Sequence, residues 1–368
     1  MKHLKQRVKI LLCQNAKRDN SHYFLSNRII MDKPNILLTG GLGFIGSHTC
    51  ISLLEHLPNA NIVIIDNLSN SNPDTVSKIE YLTNRTIFFV ELDLLNINDL
   101  ECLFELYKFD TVFHFAGLKS VSDSIKSPLQ YYSSNITMTL NLLTIMKKYG
   151  TNKLIFSSSA TIYGTNKYPV DESAQTGIGI TNPYGQTKFF IEQILQDVCR
   201  SDPNFTVICL RYFNPCGAHL SGILGENPKD TPNNLFPHIL RMAGGTRLKI
   251  FGNDYDTKDG TCIRDFIHIM DLAEGHYLAY LYIDKIDGFR VYNLGTGRGT
   301  SVMELIDKFC CTNKIVPNIE ICERRQGDIS CAYAIVDKAE QELGFRATRS
   351  VADICRDGYR YYVNSGKN

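Results

Sequence analysis

No apolar run in the 368-residue sequence approaches the roughly 18–20 residues needed to cross a bilayer, so no spanning helix is expected. Neither sign of charge dominates. The 39 lysines and arginines face 38 aspartates and glutamates, which excludes the broad basic field that nucleic acid requires. Twelve cysteines are present, yet none pairs as Cys-x-x-Cys and no zinc-ligand spacing is met; no metal site is expected, and in a long chain without a secretory leader these read as reduced thiols. No period repeats, which excludes solenoids and propellers. What is present is ordinary: 43% hydrophobic and 21% charged residues describe a globular protein, long enough for two cores and of a cytoplasmic, soluble type.

Positive charge does concentrate once. Residues 1–33 carry eight lysines and arginines against two aspartates. Without an apolar signal core or small-residue cleavage site this segment reads as a disordered basic extension, with targeting or a start at Met31 as the alternatives. From Pro34 the pattern turns regular. Ile36–Thr39, Ile62–Ile65, Ile87–Val90, Val112–Phe115, Leu154–Ser157 and Val207–Leu210 are short, β-branched or aromatic, and apolar on both faces, the mark of buried parallel strands. Between them Gly46–Leu57, Ile97–Tyr107, Pro128–Tyr149 and Tyr184–Cys199 have helical periodicity. Strict alternation predicts an α/β fold, a Rossmann-type doubly wound parallel sheet. After about Asn214 glycine, proline and asparagine multiply, predicting a smaller, loop-rich α/β substrate domain over 215–368, some segments of which return to pack on the first domain, 34–214.

The first strand–helix junction reads Thr39-Gly40-Gly41-Leu42-Gly43-Phe44-Ile45-Gly46. Glycines at Gly40, Gly43 and Gly46 permit a tight turn and let a pyrophosphate approach backbone N–H groups at a helix N-terminus. Asp66 ends the second strand, where a carboxylate accepts bonds from ribose hydroxyls and repels a 2′-phosphate. NAD is the cofactor this pair predicts, in preference to NADP.

Tyr184 and Lys188 stand four residues, about one helical turn, apart and share a face, while Ser159 closes the fifth strand at the sheet edge where such folds hold ligands. Taking hydride from an alcohol carbon also requires removal of the hydroxyl proton, so a base is needed. A tyrosine with its pKa near 10 must be lowered by about three units, roughly 4 kcal/mol, to serve at neutral pH. One positive charge at about 4 Å and an effective dielectric near 20 supplies a similar amount; Lys188 and an oxidised nicotinamide together are expected to provide it.

With these residues in place the chain resembles the short-chain dehydrogenase superfamily in its extended form, and within it the UDP-galactose 4-epimerase family. The resemblance runs from about Pro34 almost to the C-terminus on TGGLGFIGSH, FHFAGLKSV, FSSSATIYG, NPYGQTK, RYFNPCGAH, PNNLFP, FGNDYDTKDGT, IRDFIH, YNLGTG and RRQGD. It implies a bound NAD, Tyr184 as base, Ser159 on the same substrate oxygen, Lys188 on the nicotinamide ribose, and a 4-keto sugar that swings about its pyrophosphate before hydride returns. It implies cofactor contacts from Phe44, Ile45, Asn67, Asp93, Leu94, Phe115, Ala116, Gly117, Lys119, Asn135 and Phe213. The UDP-sugar grip falls to Asn214, Asn234, Leu235, Phe251, Arg264, Arg325 and Asp328, the two arginines offering forked donors to a diphosphate. It also implies a homodimer built on the Pro128–Tyr149 and Tyr184 helices.

Gln186 and Thr187 replace the family's usual Lys-Ser, and Cys216 and Cys262 replace other small residues. Ala332 stands where members restricted to unacetylated sugars carry tyrosine, so UDP-GalNAc and UDP-GlcNAc interconversion is expected as a second activity. Two rival readings are a nucleotide-sugar 4,6-dehydratase or decarboxylase and a non-catalytic NAD-sensing binder. Dehydratases place Asp-Glu beside the catalytic Ser or Thr, where this chain has Ala160 and Thr161; a sensor would be expected to lose Tyr184 or Lys188.

Overall fold

The computed structural model describes residues 33–229, 232, 234–325 and 327–366; the basic segment lies outside them apart from Lys33. Six strands follow the sequence pattern to within a residue or two: β1 (Asn35–Thr39), β2 (Asn61–Asp66), β3 (Phe88–Glu91), β4 (Thr111–His114), β5 (Lys153–Ser159) and β6 (Thr206–Tyr212). They pair in parallel in the order β3-β2-β1-β4-β5-β6. That order reverses direction at β1 and β4, the place where an open α/β sheet opens a crevice for ligands. Every residue of β1, β4 and β6 is buried, which is why these strands read as unbroken apolar runs.

Helices cover both faces: α1 (Phe44–His56), α2 (Asp74–Thr83), α3 (Ile97–Leu106), α4 (Val121–Lys126), α5 (Pro128–Tyr149) and α6 (Pro183–Ser201). α5 and α6 each begin with a proline at the first helical position, where its missing N–H costs nothing. The sequence pattern does not mark α2 or α4. α2 buries only Thr75 and Ile79 and α4 only Ser124, so neither leaves an apolar stripe to read.

Later segments build a smaller region and also return to the sheet. β7 (Asn214–Cys216) pairs with β10 (Phe266–His268), β8 (Leu248–Phe251) with β13 (Ile319–Cys322), and β9 (Ile263–Arg264) lies between β12 (Thr300–Ser301) and β14 (Cys331–Ala332). β11 (Phe289–Leu294) adds a seventh parallel strand beside β6, from Phe289 opposite Val207 to Leu294 opposite Tyr212. Helix α7 (Leu235–Ala243) packs with α9 (Val302–Asn313) and α10 (Val351–Asn364) in a core around Phe236 and Phe309. Helix α8 (Ile269–Tyr282) instead joins the core of the first region, its Leu272 and Ala279 sharing a cluster with Ile51 and Leu54 of α1. Among the described residues no helix is long and apolar enough to cross a membrane, and no cluster of His, Cys, Asp and Glu could hold a metal ion.

Candidate active site

A cavity of about 590 Å³ opens at the C-terminal ends of the strands, within the range of a pre-formed small-molecule site. Its floor is the β1–α1 turn. Gly40 sits at φ +65°, and a Cβ there would lie 2.7 Å from the Ala116 nitrogen; a Cβ at Gly46 would lie 2.7 Å from the Gly40 carbonyl oxygen. Gly43 occupies the N-cap of α1, with its neighbours Phe44 and Ile45 also facing the cavity. Free helix N–H groups and the helix dipole therefore point at any anion placed over the turn.

Asp66 holds the next corner. Its carboxylate accepts bonds from the Leu42 N–H at 3.2 Å, the Leu68 N–H at 2.9 Å and the Ser71 hydroxyl at 2.7 Å. Asn67 donates to Asp93 at 3.0 Å, and Asp93 accepts the Leu95 N–H at 2.8 Å. Both line the cavity with Leu94, Phe115, Ala116, Gly117 and Lys119. Two expected cofactor residues do not. Asn135 is buried beneath the rim, bonded to the Leu118 N–H and carbonyl at 2.8 and 3.1 Å and to the Thr187 hydroxyl at 3.0 Å; it ties the loop after β4 to α6. Phe213 packs in a cluster with Tyr163, Val170 and Ala334.

Tyr184 and Lys188 meet this cavity from the first turns of α6, whose N-cap Asn182 accepts the Gly185 N–H at 2.8 Å. Lys188 Nζ donates to the Ser157 carbonyl at 2.5 Å and lies 4.7 Å from the Phe156 ring centroid and 5.9 Å from that of Tyr184. Ser159 accepts two bonds from Thr161, at 3.3 Å from its N–H and 3.0 Å from its hydroxyl, and acts on the nearby Tyr184 phenol.

The electrostatics of the protein alone are set by burial. Burial pushes the Tyr184 phenol up to about 12, with the Ser159 bond pulling the other way, and it pulls the Lys188 ammonium down to about 8. In the protein alone desolvation dominates at Tyr184 and the Lys188 ammonium is turned to the Ser157 carbonyl; the lowering expected from the sequence calls on the nicotinamide charge as well. Lys188 sits between two further buried groups. His114, bonded to the Thr39 and Thr139 hydroxyls at 2.7 and 3.1 Å, is held near 3 by burial and then by the lysine charge. Glu192, one turn beyond Lys188, pairs with Arg211 at 2.7 Å in the interior.

The substrate-side residues are grouped differently. Only Asn234 and Tyr184 among them line the cavity. Arg325 lies 4.7 Å from the Phe251 ring centroid and bonds Asp328 at 3.1 Å, and the Thr181 hydroxyl reaches the Gly327 carbonyl at 3.4 Å, joining that cluster to the residues before α6. Arg264 and Ala332 are partners across β9 and β14. The Asn214 N–H donates to the Asp265 carbonyl at 2.9 Å, and Leu235 starts α7 against the core around Phe236. Three contributors lie outside the site residues named from the sequence. Glu226 lines the cavity and draws Lys119 to 3.0 Å and Asn234 to 3.4 Å. Asp265 is fully buried and accepts the Thr296 hydroxyl at 2.7 Å and the N–H groups of Thr296, Gly297 and Ala334 at 2.8, 3.1 and 3.3 Å, fixing the loop beside Arg264. The third is Thr161.

Residues 36–295 match the model of the NAD dependent epimerase/dehydratase family. The chain is 46% identical over 338 residues to the UDP-glucose 4-epimerase of Homo sapiens, covering 89% of this chain and 95% of that one. It is 48% identical over 330 residues to that of Dictyostelium discoideum, with the same coverage. Its fold is similar to the crystal structure of the Bifidobacterium longum UDP-glucose 4-epimerase in complex with NAD⁺ and UDP, at TM-score 0.87 and 43% identity over 90% of this chain and 99% of that one. The Stenotrophomonas maltophila UDP-glucose-4-epimerase with bound NAD and formylated UDP-arabinopyranose is similar at TM-score 0.87 and 41% identity, covering 91% and 99%.

Proposed function

The chain belongs to the NAD dependent epimerase/dehydratase family, and from that premise we propose that it is a UDP-glucose 4-epimerase, inverting the C4 hydroxyl of UDP-galactose and UDP-glucose reversibly. The observation that carries this reading is the convergence of Tyr184 and Lys188 on the same cavity that the glycine turn opens, with Ser159 ending the strand beside them. The cavity fits NAD: the turn is so tight at Gly40 and Gly46 that a Cβ would meet backbone at 2.7 Å, the α1 N-terminus faces the diphosphate, and Asp66 suits an unphosphorylated ribose. Bound there, NAD supplies an acceptor that can take a hydride and give it back.

The chain's own residues handle the proton and the geometry. Tyr184 takes the proton of the 4-hydroxyl as the C4 hydrogen leaves with its electron pair, so C4 becomes a ketone carbon. When that hydrogen returns on the other face, Tyr184 gives the proton back to the same oxygen. Ser159 donates to that oxygen, and the Lys188 charge favours the phenolate. Gly40, Gly43, Phe44, Ile45, Gly46, Asp66, Asn67, Asp93, Leu94, Phe115, Ala116, Gly117 and Lys119 hold the cofactor; Asn135 and Phe213 act behind them. For the UDP moiety we assign Asn214, Asn234, Leu235, Phe251, Arg264, Arg325 and Asp328, with forked arginine donors toward the diphosphate. Ala332, a methyl beside Arg264, leaves room for an acetamido group, hence UDP-GalNAc and UDP-GlcNAc as further substrates. A homodimer would cover the exposed Val121, Ile125, Leu129, Leu140 and Phe190 of α4, α5 and α6. The balanced charge suits a cytoplasmic enzyme.

The test is conversion of UDP-galactose by purified protein without added NAD, read as UDP-glucose by chromatography. Product formation is expected, and none even with NAD supplied would overturn the assignment. A parallel incubation with UDP-GalNAc yields UDP-GlcNAc if Ala332 acts as assigned; no product while UDP-galactose turns over would refute that part alone.

A further inference from the structure

A serine hydroxyl has one proton to donate and two lone pairs with which to accept. At Ser159 both acceptor positions are taken by one residue: the Thr161 N–H at 3.3 Å and the Thr161 hydroxyl at 3.0 Å. Ser159 ends β5, and Thr161 lies in the 3₁₀ turn Ala160–Tyr163 that this serine caps, so the two donors are held by backbone geometry as well as by the side chain. Thr161 is itself lodged against the start of α6; a Cβ at Gly185 would meet its hydroxyl oxygen at 3.2 Å and its Cβ at 3.3 Å. With both lone pairs occupied, the serine proton has to point elsewhere, and Tyr184 is the titratable group on which Ser159 acts.

We propose that Thr161 is a positioning residue, aiming the single proton of Ser159 at the Tyr184 oxygen and at the substrate oxygen that Tyr184 deprotonates. This rests on the reading of Tyr184 as the base. The physical gain has two parts. An unrestrained serine hydroxyl rotates and can present a lone pair to the phenolate, which repels it; the two Thr161 donors close that arrangement. Hydrogen bonds in a chain also polarise one another, so donation from Thr161 makes Ser159 a better donor to a developing phenolate. The position matters for reaction type too, since a carboxylic acid here could protonate a leaving group, whereas threonine can only orient.

The experiment compares wild type with Thr161→Val, which keeps the shape and removes one donor, and Thr161→Ser, which restores it. Retained NAD, thermal midpoint, and kcat and KM for UDP-galactose are measured across pH. In Thr161→Val we expect kcat to fall about tenfold, the value of one hydrogen bond of about 1.4 kcal/mol, with KM and bound NAD unchanged and the rising limb of the pH profile moved to higher pH; Thr161→Ser should recover both. Unchanged kcat and pH profile in Thr161→Val, with wild type active, would overturn the proposal and leave the epimerase reading intact; inactivity of the wild type would overturn that reading instead. Should Thr161→Val lose its cofactor, Thr161→Ala is read in its place. If both lose the fold, or serine fails to restore the profile, Thr161 is a packing residue and the proposal falls.

Discussion

The floor of the cavity and the cluster around Arg325, each proposed to hold a diphosphate, are built from opposite materials. The β1–α1 turn uses backbone. Its glycines leave no side chain in the way, and a Cβ at Gly40 or Gly46 would lie 2.7 Å from neighbouring main-chain atoms, so its shape is set before anything binds. The Arg325 cluster uses long side chains. Arg325 is 56% exposed and, among the described residues, pairs with Asp328 on the same loop. The first arrangement suits a group that stays, because rigid N–H donors need little ordering on binding. The second suits a group that comes and goes, because its donors can swing.

Ways to break that contrast can be ranked by expected size. Tyr184→Phe removes the only proton carrier proposed for the reacting oxygen and should lower kcat by about 10²–10⁴ while bound NAD is retained; loss of NAD along with activity would mean that the hydroxyl serves the cradle and not the chemistry. The cofactor region should also be the acid-sensitive one. Burial lowers His48, His114 and His276 to about 3, 3 and 4, below the ordinary 6.5. Their contribution to stability is full above pH 6.5 and is lost as pH falls toward those values, because the unfolded chain takes up protons that the fold refuses. Between pH 7.5 and 6 about 1 kcal/mol is expected from each, read as a falling thermal midpoint that His114→Asn flattens.

Gly40→Ala places a Cβ at φ +65° against the Ala116 backbone and should cost about 1–3 kcal/mol, with NAD lost before the fold. Arg325→Lys is the mildest. It keeps the charge and loses the fork, so KM for UDP-galactose should rise about tenfold with kcat little changed; an equal fall in kcat would make Arg325 part of the rigid machinery and erase the distinction.

The same contrast decides what could be read from the sequence. Backbone sites leave fixed spacings: three glycines after a buried strand, an aspartate ending the next, and a tyrosine and lysine one helical turn apart. Those residues stand together in the structure, on strands whose burial on both faces made them legible. Side-chain sites leave no spacing. Glu226 meets Lys119 across 107 residues and Asp265 binds Thr296 across 31, pairings that only the folded chain creates. β11 joins the sheet after a long excursion, so its place beside β6 is a matter of topology and not of local pattern. The ionisation of Tyr184 is hidden for a related reason: a nearby lysine is visible in the sequence, but the burial that raises the phenol is not.

The most direct test of the central account, that the hydrogen removed from C4 is the one returned to it inside a closed site, uses UDP-galactose carrying deuterium at C4. Conversion by the purified protein in ordinary water should give UDP-glucose that retains the deuterium at C4, since only the hydroxyl proton passes through Tyr184. Product with hydrogen from water at C4 would contradict it and show that C4 is inverted by proton abstraction.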